Sequence, residues 1–390
     1  MSKLNKLLFN KYFVAILWFG LSLFAVIKQV AHHHINNYDI YKYVYFNLID
    51  QHNLYNEQPQ FYFDSNHYGP LFGLVIAPFA LMPDWAGCII WVMCNALILY
   101  VAIWQLPFTV NQRLAVLLIC AHELMTASFN VQFNPCMAAI IILTFVFVNR
   151  KQDIWATLMI VLGTMIKLYG IVGLAFFFFS KDKVKFIWSF LMWLVVLFVL
   201  PMVVSSPHFV IQSYQDWYDS LAHKNASNAI STMQDISVMG MIRRIFKYPE
   251  LSNTLVILPG LLLFATAYLR FKWFSNLQFR YLLLASTLIF TVIFSTGSES
   301  PTYIIAFTGV AIWFMNLDRP VTGFEIFLLV FALLITSLSP SDLFPKYINK
   351  NYIKPYAFKA LPCFVIWLRI SYEILTRKFS PNQTENVVLS

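Results

Sequence analysis

Charge is what this chain has least of. Asp, Glu, Lys and Arg make up 12% of its 390 residues, where a soluble domain carries roughly 25%. A fold covered by water on all sides is therefore excluded. Cysteine is sparse too. Cys88, Cys94, Cys120, Cys136 and Cys363 all lie in apolar runs, and no two stand in a C-x-x-C spacing. Neither a disulfide framework nor a zinc site is expected, and the five read as small buried hydrophobes. There is no Walker loop, no G-x-S-x-G, no short internal repeat and no Gly/Ser-rich linker. His122-Glu123 lacks the second histidine of an H-E-x-x-H zinc motif, and His122 is expected at a helix interface. His32, His33 and His34 are consecutive, so on a helix they point in different directions and do not converge on one ion. No metal site is expected.

What is abundant is apolar. Hydrophobic residues reach 59%, with 38 Phe and 11 Trp, a composition suited to lipid-facing surfaces and interfacial belts. Twelve apolar runs predict membrane helices near 12–30, 85–105, 114–130, 135–149, 154–166, 168–179, 186–204, 253–269, 281–296, 303–316, 322–338 and 358–376. Several are shorter than a perpendicular span, and 154–179 is open to a reading as one long helix. The first run follows a basic start and no small-residue cleavage site, so it is expected to be an uncleaved transmembrane helix. "YGPLFGLVIAPFALMP" (68–83) is apolar but carries three prolines, which suits a half-inserted or juxtamembrane segment. The expected fold is an all-α polytopic membrane protein. Residues 1–378 form one membrane domain in this reading, and 379–390 form a disordered tail.

The net charge of +9 is a matter of topology rather than of nucleic acid, since the basic residues sit in short loops between apolar runs. With the N-terminus in the cytoplasm, Lys3, Lys6, Lys11, Arg113, Arg150, Lys151, Lys181, Lys183, Lys185, Arg270, Lys272, Arg280, Arg319, Arg377 and Lys378 all fall inside. Segments 31–84, 205–252 and 339–357 fall outside. The C-terminus is cytoplasmic in the same scheme, and the plasma (inner) membrane is the expected location. The first outer segment holds one basic residue, Lys42, against the acids Asp39, Asp50, Glu57, Asp64 and Asp84. "MIRRIFKYPE" breaks the rule by placing Arg243, Arg244 and Lys247 outside. Either a long loop crosses regardless of charge, or these residues seat an anion such as a lipid phosphate.

Two residues stand out for chemistry. Residues 38–55 predict an amphipathic helix on the membrane, with Ile40, Val44 and Leu48 on one stripe. Asp39 would occupy its first turn, where the helix end stabilises a carboxylate. It is a helix cap or a general base. Lys167 lies within "LMIVLGTMIKLYGIVGLAFFFF". A lysine in a membrane run is a functional candidate by default, unless it snorkels from a helix end. Its natural partner is an anion, either a carboxylate such as Asp39 or a phosphate.

Four stretches, taken in order, resemble the C-type (GT-C) membrane glycosyltransferases, and within them glycosyltransferase family 87, the polyprenyl-phosphate-sugar-dependent, mannosyltransferase-like proteins. "NYDIYKYVYFNLIDQHNLY" is similar to that family's first outer loop. "YGPLFGLVIAPFALMPDWAGCIIWVMCNALIL" carries its Tyr-x-Pro-Leu, Ala-Pro and Trp-x-x-x-Asn. "NVQFNPCMAAIIILTFVFVNRKQDIWATLMIVLGTMIKLYG" carries Gln-x-Asn (Gln132, Asn134) and a late helical lysine. "MQDISVMGMIRRI" carries a polar-Ser-x-x-Gly-x-x-x-Arg stretch with Asp235 and Ser237. The chain departs from the pattern in having Gly170 where Lys-x-x-Pro is common, and no histidine after Ser300-Pro301.

The resemblance implies a GT-C-like bundle of about 10–13 transmembrane helices with extracytoplasmic juxtamembrane helices. It implies transfer, by inversion, of a sugar from a polyprenyl-phosphate donor to a lipid-linked or glycan acceptor on the outer face. Asp39 would be the catalytic base. Lys167, Arg243 and Arg244 would hold the donor phosphate, so that no metal or other cofactor is needed. Tyr38, Tyr41, Tyr68, Gln132, Asn134, Asp235 and Ser237 would meet the acceptor or sugar. The partners are then the lipid donor, the acceptor and membrane lipids, with no nucleic acid. A lipid-linked-sugar transporter would instead show paired inverted halves, which are not visible. A polysaccharide polymerase or ligase is the nearer rival.

Overall fold

The computed structural model describes residues 8–228, 231 and 234–379. Lys3 and Lys6, expected on the inner face, and residues 380–390 of the expected tail lie outside the described residues. Every described element is helical, and all twelve apolar runs fold as helix close to the expected bounds. The protein is an all-α polytopic membrane protein. Among the described residues four helices are long and apolar enough to cross a membrane: Lys11–Ala31, Asp84–Trp104, Lys183–Val203 and Asn253–Trp273. Six shorter apolar helices accompany them.

The chain divides into two compact units. The first comprises Trp18–Gln105 and Met125–Lys224. Helix α1 (Lys11–Ala31) leads into α2 (Asn36–Asp50), α3 (Phe72–Ala80) and α4 (Asp84–Trp104). After α5 (Val110–Phe129) come α6 (Asn134–Asn149), α7 (Asp153–Ile166), α8 (Lys183–Val199) and α9 (Pro207–Asn228). Helix α2 packs on α3, α6 lies against α4 and α7, and α7 lies against α8. The expected stripe on α2 is the buried one, with Ile40, Val44 and Leu48 all at 6% exposure or less. Each such burial contributes about 1.5–3 kcal/mol over leaving the side chain in water. The helix is shorter than the expected 38–55, because Gln51 turns left-handed (φ 54°) and ends it.

Between α7 and α8 the run 168–179 is not an α-helix but a 12-residue 3-10 helix, Leu168–Phe179. A 3-10 helix has three residues per turn, so side chains three apart eclipse. The burial follows that period: Gly170, Gly173, Phe176 and Phe179 face protein. Leu168, Ile171 and Leu174 are exposed. The two glycines make the close seam possible. A Cβ on Gly170 would meet the Thr164 amide nitrogen at 2.2 Å, and one on Gly173 would meet Ile160 at 2.7 Å.

The second unit comprises the described parts of Met1–Leu17, Leu106–Leu124 and Asn225–Ser390. It contains α10 (Val238–Phe246), α11 (Asn253–Ala265), α12 (Leu277–Ile293), α13 (Tyr303–Met315), α14 (Gly323–Phe331) and α15 (Ala360–Thr376). Helices α12, α13 and α15 pack on one another, and α10 lies against α11 and α15. Helix α13 is buried along nearly its whole length. By contrast α11 exposes Leu255, Leu258, Leu261 and Leu262, an apolar face suited to lipid.

Candidate functional site

Asp39 stands in the first turn of α2, as expected. Its carboxylate is half-buried, and among the described residues nothing donates a hydrogen bond to it or pairs with it. Burial, and after it the Asp84 carboxylate, raise its pKa to about 6 against the opposing pull of Lys42. The expected effect of the helix end, which is to hold the group low, loses to desolvation and like charge. The result is a carboxylate that is mostly ionised at neutral pH yet takes up a proton readily. Beside it Lys42 Nζ lies 2.6 Å from Asp84 Oδ1, in the first turn of α4. Tyr38 is fully buried and donates its hydroxyl to the Phe79 carbonyl at 2.8 Å.

Lys167 occupies the joint where α7 ends and the 3-10 helix begins, in an extended conformation (φ −148°, ψ 124°). It therefore marks a break in the apolar run, not the middle of one long helix. Its Nζ donates to Asn134 Oδ1 at 2.9 Å. The Asn134 amide in turn reaches Gln132 Oε1 at 3.4 Å. The ammonium also lies 5.6 Å from the Tyr68 ring centre and 4.8 Å from that of Tyr169, a favourable placement over aromatic faces. The Tyr68 and Tyr41 hydroxyls are 3.2 Å apart. Five of the expected residues, Tyr41, Tyr68, Gln132, Asn134 and Lys167, thus form one connected cluster.

The Tyr-Gly-Pro-Leu stretch builds this cluster. Gly69 donates its amide to the Ile166 carbonyl at 3.0 Å, and a Cβ there would sit 2.0 Å from the Met165 carbonyl oxygen. Only glycine lets the chain cross the end of α7 so closely, and the crossing sets Tyr68 beneath Lys167. The aromatic rings of Tyr41, Tyr68, Phe72, Trp91 and Phe133 then pack together, with centroid separations between 4.5 and 6.2 Å. The ring faces of Tyr38, Tyr41 and Tyr68 are covered by protein. Nearer the surface, the Tyr43 ring stacks on half-exposed Phe61 at 4.2 Å, and Phe63 is 76% exposed.

In the second unit the Asp235 to Arg244 stretch forms a tight corner. Asp235 is left-handed (φ 52°) and fully buried. Its carboxylate accepts from Ser237 Oγ at 2.6 Å and from Arg243 at 2.6 Å. Ser237 caps α10 by accepting the Gly240 amide. Arg243 also donates to the Leu251 carbonyl at 2.8 Å and to Asn253 Oδ1. Asp235, Ser237 and Arg243 therefore satisfy one another. Arg244 is only partly buried and donates to the carbonyls of Ser231, Gln234 and Lys354.

One buried constellation was not anticipated. Lys359 Nζ lies 3.1 Å from Glu123 Oε1 and 3.0 Å from Ser300 Oγ. It also stands over the Tyr303 ring at 5.1 Å. Both charged groups are almost completely buried. The available signal was a lone glutamate in an apolar helix and a lone lysine at the start of another, a pairing that only the fold reveals. His122 sits at a helix interface, with Nδ1 3.1 Å from Ser337 Oγ. Among the described residues no three His, Cys, Asp or Glu side chains gather where one ion could be held.

The sequence model of glycosyltransferase family 87 matches residues 66–296, more than half of the chain. The chain belongs to glycosyltransferase family 87. It is a glycosyltransferase. No curated protein matches it. The matched region of this family 87 member contains Tyr68, Gln132, Asn134, Lys167 and the Asp235 to Arg244 corner, whereas Asp39 precedes it.

Proposed function

We propose that this glycosyltransferase moves a hexosyl group from a polyprenyl-phosphate donor to a lipid-linked or glycan acceptor at the outer face of the plasma membrane, with both termini cytoplasmic. The observation that carries the reading is the half-buried, unpartnered Asp39 carboxylate, whose pKa of about 6 suits a general base. In this mechanism the acceptor oxygen attacks the anomeric carbon and its proton passes to an Asp39 oxygen. The bond from the anomeric carbon to the phosphate oxygen breaks, and polyprenyl phosphate leaves. The attack comes from the side opposite the leaving group, so the centre inverts.

Charge developing on the leaving phosphate must be met by fixed cations and donors. Lys167 is assigned that role, because its ammonium is held by Asn134 and two rings at a break in the helix. Gln132 and Asn134 supply amides beside it. Arg243 is committed to Asp235, so its role and that of Ser237 is to shape the corner that presents Arg244 to an anion. The buried tyrosine rings support the cluster, leaving Phe61 and Phe63 as the stacking surfaces for a sugar.

The test is transfer by the purified full-length chain from a panel of polyprenyl-phosphate sugars, with product linkage read by NMR. Product of inverted configuration with at least one such donor is expected. Transfer only from nucleotide sugars, or retained configuration, overturns the reading.

A further inference from the structure

Lys42 follows Asp39 by three residues on α2, a spacing at which an aspartate and a lysine are neighbours on a helix surface. The ammonium nevertheless turns to α4, where it lies 2.6 Å from Asp84 Oδ1. The same Nζ lies 5.9 Å from the centre of the Phe46 ring. The pair is partly exposed, at 21% for Lys42 and 48% for Asp84, and such pairs stabilise a fold little. Its effect falls on the third charge, Asp39, which forms no ion pair and feels Lys42 only through space. The titratable groups around Asp39 are Tyr38, Lys42 and Tyr43 on its own helix and Asp84 and Cys88 on α4. Helix α3, which packs on α2, brings none.

We propose that Asp84 is a positioning residue for sugar transfer: it draws the Lys42 ammonium across to α4 and so keeps the Asp39 carboxylate free to take the acceptor proton. The inference rests on Asp39 being the base. A carboxylate paired with an ammonium is a weaker base than one beside a second carboxylate. Lys42 and Asp84 exchange no proton in the reaction; they set the field in which Asp39 receives one.

The experiment uses the full-length chain in lipid nanodiscs and reads Asp39 directly. Dicyclohexylcarbodiimide, which modifies protonated carboxyls in apolar surroundings, is applied across a pH series and Asp39 modification is quantified by mass spectrometry. In the parent, half-modification is expected near pH 6. In Asp84→Asn, Lys42 is released toward Asp39, and the midpoint falls by about 1–3 pH units. Asp84→Glu keeps the bridge and the parent midpoint. Asp84→Asn combined with Lys42→Met removes the competing cation and brings the midpoint back up. The acid limb of the transfer rate moves with each midpoint. If Asp84→Asn leaves the midpoint in place, or the double variant fails to restore it, the proposal is overturned. An active Asp39→Asn enzyme removes the base assignment instead, and the labelling shifts are read separately from it.

Discussion

At Asp39 a helix end competes with burial. A first-turn carboxylate is stabilised in its charged form by the helix end, but half-burial and Asp84 outweigh that and carry it to about 6. Asp39→Asn should therefore lower transfer by about 10²–10⁴-fold while leaving membrane insertion intact. In the parent, activity should rise as pH passes upward through about 6, following the ionised fraction of this group. The sign for stability is the reverse. A carboxyl whose folded pKa lies above its unfolded one costs the fold its charged form above that value, and the cost disappears below the unfolded pKa. Asp39→Asn should unfold no more easily than the parent above pH 6, with the difference shrinking toward pH 4, as thermal scans in detergent would show. Lys167→Ala should raise the KM for donor more than that for acceptor. Equal losses in both would remove the phosphate role.

At the scale of elements, two joints carry the site and the core. The first is the crossing of Gly69 over the end of α7. Gly69→Ala puts a methyl 2.0 Å from a backbone oxygen, so the crossing must open and Tyr68 leave Lys167. Transfer should fall at least as far as in Lys167→Ala, which the same assay checks. The second joint is the Glu123–Lys359 pair. Removing one member of a fully buried pair leaves an uncompensated charge and costs about 3–5 kcal/mol, whereas replacing both by apolar residues is close to neutral. Lys359→Met alone should lower the denaturation midpoint in mixed micelles strongly, and Lys359→Met with Glu123→Leu should recover most of it. These joints explain what the sequence revealed and what it withheld. The α2 stripe of Ile40, Val44 and Leu48 was readable because a helical period in apolar residues is a local signal. The commitment of Arg243 to Asp235, eight residues away, was not, because it depends on the left-handed turn at Asp235; nor was the coverage of Tyr41 and Tyr68, which depends on Trp91 and Phe133, distant in sequence. The Glu123–Lys359 pair was hidden for the same reason, its members being 236 residues apart.

For the whole molecule, the helical fold and nearly every helix position were legible, since lipid-compatible runs separated by basic loops are a strong pattern. The helix type over 168–179 was not, because a period of three in a wholly apolar run leaves no polar face to count. The orientation makes its own prediction. A cysteine replacing exposed Glu57 should react with an impermeant maleimide added outside intact cells, and one replacing exposed Lys151 should react only after permeabilisation. The opposite pattern would put Asp39 in the cytoplasm and end the proposed mechanism.

The stretch from Leu168 to Phe179 also sets a rule for how this chain can vary. With three residues to the turn, adding or deleting a single residue swings everything beyond it by about a third of a revolution. An added residue would carry Gly170 and Gly173 round to the exposed places now held by Ile171 and Leu174, so that the shallow notch that lets the backbone nestle against α7 would face the bilayer, and a deleted one would bring Ile171 and Leu174 into the seam. Side-chain swaps at Leu168, Ile171 and Leu174 should pass almost unnoticed, whereas any change of length there should pull the neighbouring lysine out of alignment.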